Sequence, residues 1–396
     1  MTKCNLTKSL VLVSAVVVMT ALSARIGADT GMCGGASFTL PFTDVASSNV
    51  FFCAIAEAYF SGLTNGTTAS TYSPSSNVPR EQMAAFVTRT MDQTLRRGSE
   101  RAALRQFWTP QTASNIALTT VGTAPQRVKS DGTDVWVANH FTASVSRVRA
   151  SDGKLVDSWT GAMSAYSVLV AIGRVFVASD TNPGSLYQID PSQTGNGAPV
   201  TVLGVALGAT PASIAFDGLH LWTANNGGSV TQVSLNPLSS STITTGFSQP
   251  AGILFDGSNI WITDKGDNTL KKLNPSGGIL LSVPVGSLPQ HPVFDGTNIW
   301  VPNRNADSVT VIRAETGAVL ATLTGNGLNL PFETAFDGER ILVTNTNADS
   351  VSLFMASDLT PLGTFSTGTG THPYAVCSDG LNFWITLNGA GKLARF

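Results

Sequence analysis

Charge is what this chain has least of. Of its 396 residues only 12% are charged, and 23 basic against 25 acidic residues leave a net charge of −2. Without a sizeable cationic surface the chain is a poor partner for nucleic acid or an anionic membrane. Four cysteines and four histidines are scattered, and no Cys/His grouping has the spacing of a metal site. No nucleophile elbow, phosphate-binding loop or zinc motif is present. The longest apolar run lies at the N-terminus, and past it no stretch is long enough to cross a membrane. What the chain does have is 42% hydrophobic residues and 38 glycines, the mark of a well-buried protein of short strands and turns.

Most of the chain is built from one unit, clearest at residues 249–286. There Ile253, Leu254 and Phe255 stop at Asp256-Gly257, a hairpin pair because Gly accepts positive φ. A second strand carries Trp261, large enough to sit between packed sheets. A polar loop, a third strand at Thr269 to Leu273, an Asn-Pro-Ser-Gly-Gly turn and a fourth strand from Ile279 complete a small antiparallel sheet. The Gly and the Trp four residues on recur as Gly132/Trp136, Gly218/Trp222, Gly296/Trp300 and Gly380/Trp384. Gly338 has Leu342 in the Trp place, and Gly173 follows Ile172 with Phe176 nearby. A Pro stands six residues before the Asp in six copies (125, 211, 250, 289, 331, 373), with Tyr166 in that place in the second copy. By subtraction the turn glycines are 41, 45, 39, 39, 42 and 42 residues apart. That period fits four-stranded propeller blades and excludes helical repeats. Residues 116–122 read as a fourth strand without its first three, whereas the last copy ends after its third strand. Pairing the two closes a ring of seven blades and removes both exposed edges. The expected fold is therefore all-β, a seven-bladed β-propeller over residues 114–396 closed by an N-terminal strand.

The Pro-x-x-Ile-x-Phe-Asp-Gly-x-x-Ile-Trp pattern, clearest from Pro250 to Trp261, resembles secreted bacterial propellers of the NHL and streptogramin-lyase-like groups. The resemblance covers about 280 residues and implies the blade; those groups include enzymes, ligand binders and scaffolds. In streptogramin lyases a His and a Glu at the channel mouth work with a magnesium ion.

Residues 1–23 read as a signal peptide, with Lys3 and Lys8 ahead of an apolar core at residues 10–22 and Ala21 and Ser23 at a cleavage site. An uncleaved N-terminal anchor is the alternative, and either exports the rest. In an oxidising compartment Cys33 and Cys53 are expected to form a disulfide, worth about 3 kcal/mol for a loop of this size. Cys377 reads as a buried small hydrophobe. Residues 34–95 carry helical spacings at Ala54, Ile55, Ala58, Tyr59 and Leu63, and again at Met83, Phe86, Val87 and Met91. With Phe42-Thr43-Asp44-Val45, Gly62-Leu63, Tyr72-Ser73-Pro74 and Arg80-Glu81, this stretch resembles an S-layer homology (SLH) domain. The resemblance implies a cell-wall polymer as partner, with Arg80 and Glu81 contributing to its binding; a structural role for Arg80 at a helix start stays open. One copy is visible. Residues 96–113 read as a basic helical linker.

In a propeller the loops joining second to third strands share one face with those entering the inner strands, around the channel mouth. There the sequence places Arg127, His140, Lys265, His291, Arg304, Glu333 and His372. Polar groups that differ from blade to blade are what a binding site requires. His291 and Glu333 stand two residues after the repeated Pro, with Arg127 in the same register. With Arg127 they are candidates for acid-base catalysis or an anionic-ligand site, with His140, Arg304 and His372 as further ligand-binding candidates; the alternative is unrelated polar residues at a solvated channel. The repeated Asn139, Asn225, Asn303 and Asn345, with Asp264 in register, are expected to bond loop backbone. No cofactor is expected. Calcium at Asp264, Asp267 and Asn268, or a magnesium ion, stays open as the alternative, although too few oxygen ligands are in view for calcium. The preferred reading is an exported, cell-envelope-associated protein whose propeller binds proteins or glycans, secreted or held at a bacterial envelope. The alternative is a lyase or hydrolase with its site at the channel mouth.

Overall fold

The computed structural model describes residues 30–33, 36–60, 64, 66–78, 83 and 117–396. The expectations for the signal at 1–23, for Arg80 and Glu81 and for the linker at 96–113 lie outside these residues. The chain divides into two compact units, residues 1–102 and 103–396. Among the described residues no helix is long and apolar enough to cross a membrane.

The first unit was expected to be helical from residue 34. It begins instead with a hairpin, Thr30–Cys33 paired with Ala36–Thr39, followed by a helix, α1, at Phe52–Phe60. Strands this short carry too few residues to show a period of two. The Cys33–Cys53 disulfide ties the hairpin to α1. Leu40, Phe42, Val45, Phe52, Ile55 and Ala56 form the core. Within the Phe-Thr-Asp-Val stretch Phe42 and Val45 are buried, and the Asp44 carboxylate accepts the backbone N–H groups of Tyr72 (2.8 Å) and Ser73 (2.7 Å). The motif residues thus hold a loop that has few apolar contacts of its own.

The second unit is a seven-bladed propeller. Blade four shows the plan, with strands Pro250–Phe255, Ile260–Asp264, Thr269–Leu273 and Ile279–Pro284 in consecutive antiparallel order. Blade seven is closed as the sequence requires: Ala117–Thr120 pairs antiparallel with Lys392–Arg395 and supplies the missing outer strand. The longest repeat spacing has its cause in blade two, whose connection to its outer strand sends Ala198–Pro199 out to pair in parallel with blade one's outer strand.

Each of seven apolar clusters lies between two neighbouring blades. The repeated Trp belongs to five of them, and Phe176 and Leu342 take its place in the other two. The repeated Asp explains how a buried indole N–H is satisfied. In blade four one Asp256 oxygen accepts the N–H groups of Ser258 (2.8 Å) and Asn259 (2.7 Å), and the other accepts Trp261 Nε1–H at 2.7 Å. The same indole bond occurs at Trp136, Trp222, Trp300 and Trp384. In blade six, where Leu342 has no donor, Arg340 bonds Asp337 instead, at 2.9 Å.

Two details go beyond expectation. The Asn side chains also bond third-strand hydroxyls: Asn345 Nδ2, for example, donates to Ser350 (3.2 Å) and Ser352 (2.8 Å), while its Oδ1 accepts the loop N–H of Asn329 (3.4 Å) as expected. Asp264, which cannot donate, accepts the backbone N–H groups of Ser248 and Gln249. Calcium is also displaced from consideration there, because the Lys271 ammonium bonds both Asp264 (2.7 Å) and Asp267 and supplies the positive charge.

Candidate functional site

Six of the seven inner strands carry a β-bulge just after their first residue, which in five is the repeated Pro. In blade two that first residue is Ala165, paired with Ser179, so Tyr166 falls one place beyond the Pro position. The shift follows from the Ile172-Gly173 turn, which has two loop residues where the other blades have four. In blade five Pro292 has no N–H to give, and the regular inner strand shrinks to Val293–Phe294. His291 there pairs with blade six instead: its N–H donates to the Phe332 carbonyl (3.1 Å), and its own carbonyl accepts from Thr334 N (3.2 Å). Bulges re-aim side chains. In this ring they bring large residues one and two places after the Pro position toward the centre, Arg127, Tyr166, Phe332, Glu333 and Tyr374, and the bridge to blade six sets His291 beside them.

Arg127, from blade one, reaches across the ring to blades five and six. Its Nη1 donates to Glu333 Oε2 at 2.9 Å and its Nη2 to His291 Nε2. Its guanidinium lies against three rings, 4.9 Å from the centre of Phe332 and 5.4 Å from those of Tyr166 and Tyr374. Phe332 and Tyr374 stack at 4.0 Å, and the Tyr166 and Tyr374 hydroxyls are 2.7 Å apart, linking blades two and seven over Arg127. The channel is not wet at this level. Arg127, His291 and Glu333 are 2%, 4% and 4% exposed, because the aromatic residues fill the space that water would occupy.

The electrostatics follow from that burial. Burial works against the Arg127 charge, but Glu333 outweighs it, and the guanidinium pKa is held above its ordinary value. For His291 burial comes first, then the charges of Arg127, Lys129 and Lys265; all push the same way, and its pKa lies well below 6.5. The imidazole is therefore neutral. Since a guanidinium only donates, His291 Nε2 must accept, which puts the proton on Nδ1. Nδ1 is buried without a partner among the described residues. Glu333 is shared between Arg127 and, at 3.8 Å, Lys129. A magnesium ion held by His291 and Glu333 does not fit, because the Arg127 guanidinium already bonds both.

The remaining candidates stand elsewhere on the mouth. His140 Nε2 meets Asp180 at 3.1 Å, a pair between blades one and two. His372 is exposed, with Nδ1 at 3.2 Å from the Thr346 carbonyl. Arg304 lies 5.8 Å from the Phe332 ring centre, so one ring separates it from Arg127. Sequence reasoning missed Tyr166, Phe332 and Tyr374 as site residues; the signal was their recurrence immediately before the register of Arg127, His291 and Glu333.

No protein-family model matches the chain, and no curated protein matches it. Solved structures do. Virginiamycin B lyase from Staphylococcus aureus aligns at 16% identity over 71% of this chain and 98% of its own, with a TM-score of 0.60. Hydrazine synthase from Kuenenia stuttgartiensis aligns at 17% identity over 70% and 97% (TM-score 0.57), and the WD40 propeller domain of Doa1 at 13% over 70% and 94% (TM-score 0.58). At such identities the likeness is one of fold, and the fold this chain shares with virginiamycin B lyase and a WD40 domain is the seven-bladed β-propeller.

Proposed function

We propose that this chain is an exported, cell-envelope-associated binding module. Its propeller presents the mouth face to a protein or glycan, and its first unit associates with a wall polymer in the manner of an SLH domain, through Arg80 and Glu81. The observation that carries the non-catalytic reading is the placement of Arg127. A general base needs a lone pair free to take a proton, and the only lone pair on neutral His291 accepts from Arg127. Glu333, which could orient a base or hold a metal, is committed to the same guanidinium. Arg127 and Glu333 neutralise each other and neutral His291 accepts from Arg127 inside a collar of rings, which leaves no poised acid or base.

A lyase or hydrolase of the virginiamycin B lyase kind is the second reading, favoured only by the shared fold. The two part on one assay. Purified protein incubated with streptogramin B and a panel of lactones and esters, with magnesium added, is expected to give no product by mass spectrometry. Turnover that His291→Ala abolishes would overturn the binding reading.

A further inference from the structure

In all seven blades the residue after the second strand donates its backbone N–H to a carbonyl in the loop entering the inner strand, and these two loops face the mouth. Lys265 N bonds the Gln249 carbonyl (3.1 Å) and Arg304 N the Leu288 carbonyl (3.0 Å); His140, Asp180, Asn226, Thr346 and Asn388 are held likewise. The fold therefore fixes the backbone and leaves the side chain to be chosen blade by blade. On blades one and two the choice is a hydrogen-bonded His140–Asp180 pair. On blades four and five it is two adjacent cations, and among the described residues neither has an ion-pair partner.

We propose that this side of the mouth binds a single oxyanion group, a carboxylate or a phosphate, between Lys265 and Arg304 and within the field of Arg127. Three observations carry it. Arg304 Nε is a buried N–H donor without an acceptor among the described residues, a costly state that an anion's oxygens relieve. Glu333, the carboxylate that joins this cluster, is already shared by Arg127 and Lys129. Positive charge is also uncompensated: burial first, and then Arg304 and Arg127, hold the Lys265 pKa below its usual value. On a chain of net charge −2 this is a local arrangement, and a recessed cluster of one sign concentrates anions of the other. A guanidinium edge suits the paired oxygens of a carboxylate or phosphate, and a half-buried ammonium adds a point charge beside it.

The inference rests on reading the mouth as a binding site, and its test is separate from turnover. The full chain would be titrated with glucuronate and with glycerol phosphate at constant ionic strength, with sodium chloride as control, following melting temperature and heats of binding. At least one probe is expected to bind saturably, and which one identifies the source of the oxyanion. Lys265→Gln and Arg304→Gln should each weaken binding at least about tenfold, the loss of one charge-assisted contact, whereas Lys129→Gln should not. Failure of both probes to exceed the chloride control would overturn the site, as would wild-type affinity in the Lys265 and Arg304 variants. That failure would leave the non-catalytic reading standing, and turnover abolished by His291→Ala would sink that reading without touching the anion site.

Discussion

His291 shows how much a single position depends on neighbours far away in sequence. Its register beside the repeated Pro made it a candidate, yet its chemistry is set by Arg127, 164 residues upstream, and by the rings that exclude water. The consequence is measurable. Folded, His291 resists protonation; unfolded, it takes up a proton near pH 6.5. Below about pH 6.5 the unfolded state thus binds more protons, and stability falls as pH falls, by at most about 1.4 kcal/mol per pH unit for one group. His291→Gln should remove that contribution, so urea unfolding between pH 6.5 and 5 should show a shallower dependence than wild type. Identical slopes would mean that His291 is protonated in the folded protein. That Arg127, His291 and Glu333 share a register was legible in the sequence. That they are dry was not, because dryness comes from Tyr166, Phe332 and Tyr374, brought forward by a bulge that has no residue signature of its own.

Among the elements, blades were legible wherever local chemistry repeats. Asp-Gly stops a strand, and the Asp satisfies the following Trp, so one short motif specifies both turn and packing. Blade two keeps neither residue, and its geometry could not be read. Ile172 and Gly173 both have positive φ, 45° and 69°, the pattern of a two-residue type I′ turn. A β-branched residue is strained there, and Ile172 is 61% exposed, so its side chain gains little in return. Ile172→Asn should stabilise the domain by about 1 kcal/mol, read as a rise in urea midpoint at unchanged m-value. A fall in midpoint would show that Ile172 makes contacts that offset its strain. The hairpin of the first unit was missed because four-residue strands beside Gly34 and Gly35 offer no period to read.

At the scale of the whole molecule two ties hold the ring. The outer tie is Ala117–Thr120 in blade seven, legible because the two chain ends carry complementary fragments of one repeat. Removing residues up to 122 should leave the third strand of blade seven with an open edge and lower the melting temperature markedly, whereas removal up to 105 should not. Equal melting temperatures for the two truncations would contradict the closure. The inner tie is Arg127, which joins blade one to blades five and six across the centre, and it decides between a plugged ring and an open catalytic channel. The most direct test is a double-mutant cycle between Arg127→Met and Glu333→Gln, read by urea unfolding. Each single change removes one partner of a buried pair and should cost about 3–5 kcal/mol. The pair changed together should cost less than the sum by about 2–3 kcal/mol, because neither charge is then left buried alone. Additive costs, or single variants as stable as wild type, would mean that Arg127 and Glu333 stand apart in water and that the channel is open.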